Sequence, residues 1–503
     1  MRKTKVIFIK NAITLTVTSL LLRAVGMFFR AWLAGTIGSD GIGLYSQVFS
    51  VYMLVSGLSS SGLNLAVTRL VSEELILGGR RGADLIMKRC VSAAAAICTC
   101  FAVLIFFGRN FLSLSLIGDV RVEPAFKILP ISLPFSAVCA CFKGYFMARK
   151  KSLPGSCSQL LEQAVRMGVI MSLAARSLKK GLEYACSVVV LGDTVAEISS
   201  CILVYIMFLI DKKKIEPQKG AHIYKGELSK KIFHIAFPVS LGRGLNSLLR
   251  TAENFLVPFG LVQFGLSRDA SLSIFGLIKG MALPLLFFPA SLLNALATLL
   301  IPEMSEAVAG EKDYKIKYAV EKSLNIILIT SIPFSALFYF GADAFGQLIY
   351  KDAEVGTFLK LLSPLVPLMY IDSISDGLLK GLDQQNITFR NSIVDSAARL
   401  ILIYLLLPRL GAIGFIGIMY LSNLFTSSLN LYRLIKISKA RINILKKVFF
   451  PLVFAFSVSF AANSFLVPLR LPNLFFAVIF TAASLLGYTI LTLTTGCFGR
   501  NDI

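Results

Sequence analysis

The chain is 503 residues long, 56% hydrophobic and only 16% charged, with a mean hydropathy of +0.75, which excludes an ordinary soluble globular protein. A hydrocarbon core about 30 Å thick needs roughly 20 apolar residues of helix, and the chain holds many such runs with little left for a soluble domain. The formal net charge of +23 would suggest nucleic acid in a soluble protein, but in a membrane protein the basic residues are first sorted by side, and no nucleic-acid partner is needed to explain them.

Taken in order, the N-terminal MRKTKVIFIKNAITLTVTSLLLR has the outline of a signal peptide. No small-residue cleavage site follows, and Arg23 breaks the apolar core, so the segment reads as a retained first span. Apolar runs bounded by charge, Gly or Pro predict an all-α polytopic membrane protein of about 14 transmembrane helices. They lie near 11–37, 43–71, 90–108, 124–148, 156–176, 184–210, 232–262, 270–301, 318–341, 357–381, 387–407, 411–434, 448–468 and 472–496. With the N-terminus in the cytoplasm, 30 Lys and Arg fall at inner junctions and nine at outer ones. This bias predicts a multi-pass cell-membrane protein with both termini cytoplasmic.

Sliding the chain on itself exposes a repeat. Asn64-Leu65-Ala66-Val67-Thr68 lies over Asn294-Ala295-Leu296-Ala297-Thr298 at an offset of 230. At an offset of 233, Lys127 meets Lys360, Pro134 meets Pro367, Gly144 meets Gly377, and Glu162 with Arg166 meets Asp395 with Arg399. At an offset of 227, Arg23 meets Arg250 and Gly38 meets Gly265. Six helices per unit is an even number, so the repeat predicts two six-helix lobes, 1–210 and 232–436, related by a parallel pseudo-two-fold along the membrane normal. A basic cytoplasmic linker at 211–231 would join them, with two extra helices and a short tail at 437–503.

Cys98, Cys100, Cys139, Cys141, Cys157 and Cys201 sit inside apolar runs, so no disulfide framework is implied. With two histidines, His222 and His234, and no HExxH or CxxC pair, no metal or other cofactor is expected, and the absence of G-x-x-x-x-G-K-[ST] gives no support to direct ATP use.

Twelve basic residues remain within the spans. Arg69, Lys127, Lys143, Lys322 and Lys360 are near enough to span ends to snorkel. Glu162/Arg166 and Asp395/Arg399, each four residues apart, share a helix face and read as structural intramembrane pairs. Arg23 and Arg30 on the first helix, Arg243 and Arg250 on the seventh, Glu253, and Lys279 on the eighth then form the candidate substrate site. Within each arginine pair the spacing is seven, so the side chains follow one helix face. An unpaired guanidinium in lipid costs at least about 2.5–3.5 kcal/mol, so these stripes should face a wet cleft between the lobes, lined by helices 1, 2, 7 and 8. The Pro238, Pro258, Pro284 and Pro289 breaks suit a cavity lining. Asp193, Glu197, Asp372 and Asp376 are left as possible cation-coupling residues.

The segments TLTVTSLLLRAVGMFFRAWLAGTIGSDGIGLYSQVFSVYMLVSGLSSSGLNLAVTRLVSEE, RKKSLPGSCSQLLEQAVR and LNALATLLIPEMSEA resemble the polysaccharide-exporter branch of the multidrug/oligosaccharidyl-lipid/polysaccharide exporter superfamily, which is related to lipid II flippases. The resemblance implies a fold like that of the multidrug exporters. It also implies a secondary flippase, not an enzyme, that moves a lipid-linked pyrophosphate glycan or peptidoglycan precursor to the outer leaflet, in cell-envelope or spore-cortex synthesis. Arg23, Arg30 and Lys279 then stand where the flippases carry basic residues, while their second-helix basic residue has no match in Tyr45-Ser46-Gln47-Val48-Phe49. Membrane lipids and cell-envelope synthesis enzymes would be partners. A drug/cation antiporter of the same fold and a non-transporting scaffold for envelope synthesis are the alternatives.

Overall fold

A computed structural model describes residues 2–76, 80–177, 181–213, 227–290, 310, 313–441 and 443–497. Among them no strand occurs, and the chain is all-α. The helices are α1 (Arg2–Ser59), α2 (Ser61–Ile76), α3 (Arg80–Phe111), α4 (Glu123–Ala148), α5 (Leu153–Ser177), α6 (Leu182–Lys213) and α7 (Leu228–Gln263). They continue with α8 (Arg268–Phe287), α9 (Asp313–Phe340), α10 (Ala353–Gly381), α11 (Gln385–Ser438), α12 (Leu445–Leu469) and α13 (Asn473–Thr494).

Ten helical stretches among the described residues are long and apolar enough to cross a membrane. Two of them, 17–75 and 385–438, each run through two of the predicted spans, joined at a glycine kink. Gly38 (φ 77°, ψ 173°) interrupts α1, and Gly411 (φ 58°, ψ −140°) interrupts α11. Helices α5 and α7 carry charged and polar side chains along their lengths and are not among the ten. Asn294 and the rest of 291–301 lie outside the described residues, as does most of the predicted linker.

Backbone contacts divide the chain into two compact units, Met1–Gly26 with Leu44–Phe255, and Met27–Gly43 with Leu256–Ile503. In the first unit α4 packs on α2, α3 and α6, and α6 packs on α5. Asn64 clasps α2 to α4 by donating to the Ala140 carbonyl at 2.9 Å, and Thr68 donates to the Gly144 carbonyl at 3.1 Å. A side chain at Gly144 would meet the Asn64 carbonyl, so close backbone approach and polar clasp occur together, as expected where lipid supplies no hydrophobic drive between helices. In the second unit α9 packs on α10 and α12, α10 on α11, and α12 on α13. Leu328, Ile332 and Ala336 of α9 bury against Ala455 of α12 and Tyr488 of α13, which attaches the two C-terminal helices to this unit.

The duplication recurs in the backbone at the offsets found in the sequence. A π-helical turn over Leu112–Ile117 ends at Gly118 in the left-handed region, and one over Gly346–Tyr350 ends at Lys351. The next residues, Asp119 and Asp352, accept from the backbone N–H groups of Arg121 and Glu354 at 2.9 and 2.8 Å. Lys150 (φ 56°) after α4 and Asp383 (φ 58°) after α10 also correspond. There the Lys151 N–H reaches the Phe146 carbonyl at 2.9 Å, and the Gln384 N–H reaches Leu379 at 2.8 Å. Corresponding helix ends thus use the same turns.

Gly38 occupies a conformation open essentially to glycine alone, and an added Cβ would lie 2.8 Å from the Asp40 carboxylate. Gly38→Ala should therefore lower stability by about 1–3 kcal/mol. Gly26→Ala, on open helical backbone with nothing within 4 Å, should be neutral or stabilising by up to about 1 kcal/mol. Thermal unfolding of the two purified variants side by side checks this, and equal effects would remove the special role of Gly38.

Candidate functional site

The first unit holds Arg23, Arg243, Arg250 and Glu253, and the second holds Arg30 and Lys279. The side chains of all four arginines are exposed, and no ion pair joins any of them to a carboxylate among the described residues. Glu253 is buried at 3% exposure. On α7, Ser240, Arg243, Ser247, Arg250 and Asn254 follow one another at helical spacing and form a polar stripe. Its serine and asparagine positions are spent on packing. Ser240 accepts from the Gly62 N–H at 3.2 Å, Asn254 donates to Ser50 Oγ at 2.7 Å, and the neighbouring Thr251 donates to the Ser50 carbonyl at 3.0 Å.

Lys279 lies in a π-helical turn, Gly276–Ala282, a distortion frequent at functional positions. It stands within Gly276-Leu277-Ile278-Lys279-Gly280, a G-x-x-x-G signal that sequence reading passed over. A side chain at Gly276 would strike the Ser39 carbonyl, and one at Gly280 would strike Ile42. Ser39 Oγ meets Ser273 Oγ at 2.6 Å. The small residues therefore seat α8 against the 27–43 segment, while the Lys279 ammonium lies 5.9 Å from the Phe415 ring centre, within cation–π range.

The acids do not divide as their spacing suggests. Arg166 reaches Glu162 at 3.0 Å but also lies 2.6 Å from Asp193, and donates to Gln163 at 3.1 Å. Lys143 approaches the other Glu162 oxygen at 3.9 Å. Tyr45 donates to Asp193 at 2.8 Å, while Tyr52 donates to Glu197 and lies 2.9 Å from Ser136 Oγ. Tyr45, Phe49 and Tyr52 stack at 5.6 and 5.4 Å, so one aromatic ladder on α1 presents two hydroxyls to two carboxylates four apart on α6. A structural pair and two candidate coupling acids are thus brought into one network. Its members are three carboxylates and two cations, and the contact just given for Glu197 is to the neutral Tyr52 hydroxyl. The missed members are Tyr45, Tyr52, Lys143 and Ser136; the aromatic 45/49/52 spacing was the available signal.

In the second unit Asp395 and Arg399 pair at 3.2 Å, as their homologous positions do in the first. Asp376 pairs with Lys380 at 2.5 Å. Asp372 accepts from Asn430 at 2.9 Å, and Asn430 in turn accepts from Asn391 at 3.0 Å. Among the described residues no group of three His, Cys, Asp or Glu could hold a metal ion, and all nine cysteines are free.

Residues 8–308 match the family model described as polysaccharide biosynthesis protein, which spans more than half of the chain: the protein belongs to that family and to the polysaccharide-exporter branch of its superfamily. Stage V sporulation protein B of Bacillus subtilis (strain 168) is 26% identical over 81% of this chain and 79% of its own length. Lipid II flippase MurJ of the same organism is 20% identical over 78% of this chain and 76% of its own. Among solved structures, lipid II flippase MurJ in an inward closed conformation superposes with a TM-score of 0.71 at 13% identity, covering 95% of this chain and 98% of that one. An inward-facing multidrug resistance MATE transporter gives 0.64 at 11% identity, over 85% of this chain and 100% of that one. These likenesses establish the fold and, with the apolar helices, a multi-pass membrane protein.

Asp193→Asn should destabilise the protein by about 3 kcal/mol, the low end for breaking a buried pair because both partners keep some exposure. Adding Arg166→Gln to it should cost less than the sum of the two single changes. A double-mutant cycle on apparent unfolding temperatures tests this, and strict additivity would dissolve the network.

Proposed function

We propose that this protein is a secondary flippase. It moves a lipid-linked, pyrophosphate-bearing glycan or peptidoglycan precursor from the cytoplasmic to the outer leaflet by alternating access, with both termini in the cytoplasm. It is not an enzyme. The observation that carries the reading is the set of arginines without a carboxylate partner among the described residues, Arg23, Arg243 and Arg250 within the first unit and Arg30 in the second. A guanidinium in such a setting needs a polyanion or water, and its planar fork holds phosphate oxygens bidentately. Lys279 adds a point charge. Family membership and the likeness to stage V sporulation protein B and to a lipid II flippase support the same substrate class, in envelope or spore-cortex synthesis, alongside the enzymes that make and use the precursor.

Export of an anion is favoured by an inside-negative potential, at about 2.3 kcal/mol per charge per 100 mV. Any coupling ion would bind a carboxylate not already neutralised. Asp193 and Asp376 are held by Arg166 and Lys380, which leaves Glu197 and Asp372, whose partners given above are neutral, as the coupling candidates.

The test is flipping of labelled lipid II and of an undecaprenyl-linked sugar by the protein in liposomes, with drug efflux measured on the same preparation. Arg23→Ala and Arg250→Ala should each lower flipping at least about tenfold while leaving stability within about 0.5 kcal/mol, since both side chains are exposed. Arg250→Lys should restore only part of the loss, because an ammonium lacks the fork. Drug efflux without flipping would replace this reading with the antiporter, and a shift in proton or sodium dependence in Glu197→Gln alone would assign the coupling to the first unit.

A further inference from the structure

A cavity of about 370 Å³ opens in the first unit among the end of α1, α2, α3 and the start of α7, and none of the arginines discussed above is in its lining. On α3 its lining passes from Arg89 and Ser92 to Ile97 within eight residues, about 12 Å of helix. On α7 it runs from Ser229 through Ile232, Phe233, Ala236 and Phe237 to Ser240. Ile97, Phe233 and Phe237 are exposed, so a cationic, hydroxyl-bearing mouth adjoins a run of accessible apolar side chains. The mouth lies at the end that the distribution of Lys and Arg assigns to the cytoplasm, with Lys88 beside it.

The Arg89 guanidinium is exposed and has no carboxylate partner among the described residues. Ser92 Oγ is bonded only to the Arg89 carbonyl, at 3.1 Å, and keeps its acceptor capacity. One fixed cation at the level of the headgroups, with hydroxyls beside it and exposed apolar side chains along the groove, matches a lipid carrying a single phosphodiester charge and a small hydroxylated headgroup. A pyrophosphate bearing a sugar brings more charge than one arginine answers.

We propose that this groove is a binding site for an anionic bilayer phospholipid of the phosphatidylglycerol type, its phosphate on Arg89 and an acyl chain along Ile97, Phe233 and Phe237. The assignment goes beyond the flippase reading and does not depend on it, since it needs only a bilayer around the first unit. Such a lipid would fill the space among α2, α3 and α7 and act as a fixed component of that unit.

The full-length protein in detergent, titrated with phosphatidylglycerol or phosphatidylcholine and followed by native mass spectrometry and thermal shift, tests it without any transport readout. Wild type should retain phosphatidylglycerol and gain thermal stability from it, with little response to phosphatidylcholine. Arg89→Gln should weaken retention roughly tenfold or more with an unchanged melting temperature in lipid-free detergent, and Ala93→Phe, which fills the groove with the charge intact, should do the same. Lys88→Gln, next door but not in the lining, should retain the lipid as wild type does. Equal retention by wild type and Arg89→Gln would overturn the proposal. So would an equal loss in Lys88→Gln, which would mark diffuse surface charge. Displacement of phosphatidylglycerol by equimolar undecaprenyl pyrophosphate would overturn it too, by giving the groove to the transported lipid.

Discussion

A charge inside an apolar medium must be paired or wetted, and the arrangement of this protein follows from that requirement. The cost of leaving a guanidinium unanswered at the centre of a bilayer is at least about 2.5–3.5 kcal/mol, comparable to a sizeable share of the stability of a typical domain. The structure meets the requirement in two ways. Arg166 and Arg399 are answered by carboxylates on their own helices, and Arg166 by a further one on α6. Arg23, Arg30, Arg243 and Arg250 are exposed and have no such answer among the described residues. Within the first group, the Arg166–Asp193 contact also ties α5 to α6.

The same economy governs the neutral polar residues. In lipid, helix association draws on close packing and interhelical hydrogen bonds because apolar side chains gain little from one another. Asn64 and Thr68 on Gly144, Ser240 on Gly62, and the Gly276/Gly280 pair against the 27–43 segment are three versions of one device: a small residue admits a backbone, and a hydroxyl or amide bonds across the gap. Residues that look conspicuous in the sequence, such as Asn64, turn out to be spent on this packing. The stripe on α7 shows both uses within a few turns, serines and Asn254 committed to neighbours and arginines released.

The duplication adds a second layer of economy. A π-helical turn closed by a left-handed residue and an Asp that caps the next turn occurs at 112–119 and again at 346–352. Gly118 is replaced by Lys351 at the left-handed position, so the turn persists without glycine, held by its hydrogen bonds. The ion pairs Glu162/Arg166 and Asp395/Arg399 repeat as well, and the first extends through Asp193 and Tyr45. The two copies have kept their frame.

Local periodicity made much of this legible in the sequence. Apolar runs, the four-residue ion pairs, the glycine at each kink and the offsets of the repeat are all statements about neighbours along one helix, where geometry is set by 3.6 residues per turn. Relations across helices were decided only by the tertiary structure. Spacing alone placed Asp193 and Glu197 with the coupling acids, whereas packing of α6 against α1 and α5 gave Asp193 to Arg166 and Tyr45, and Glu197 to Tyr52. Spacing likewise put Arg23 and Arg30 on one face of α1, which runs unbroken between them; that the compact units part the chain between Gly26 and Met27 was not in that spacing. The groove at Arg89 was invisible for the same reason: its mouth needs two residues 140 apart in the chain, Arg89 and Ser229, and no pattern along a single helix encodes which other helix will stand beside it.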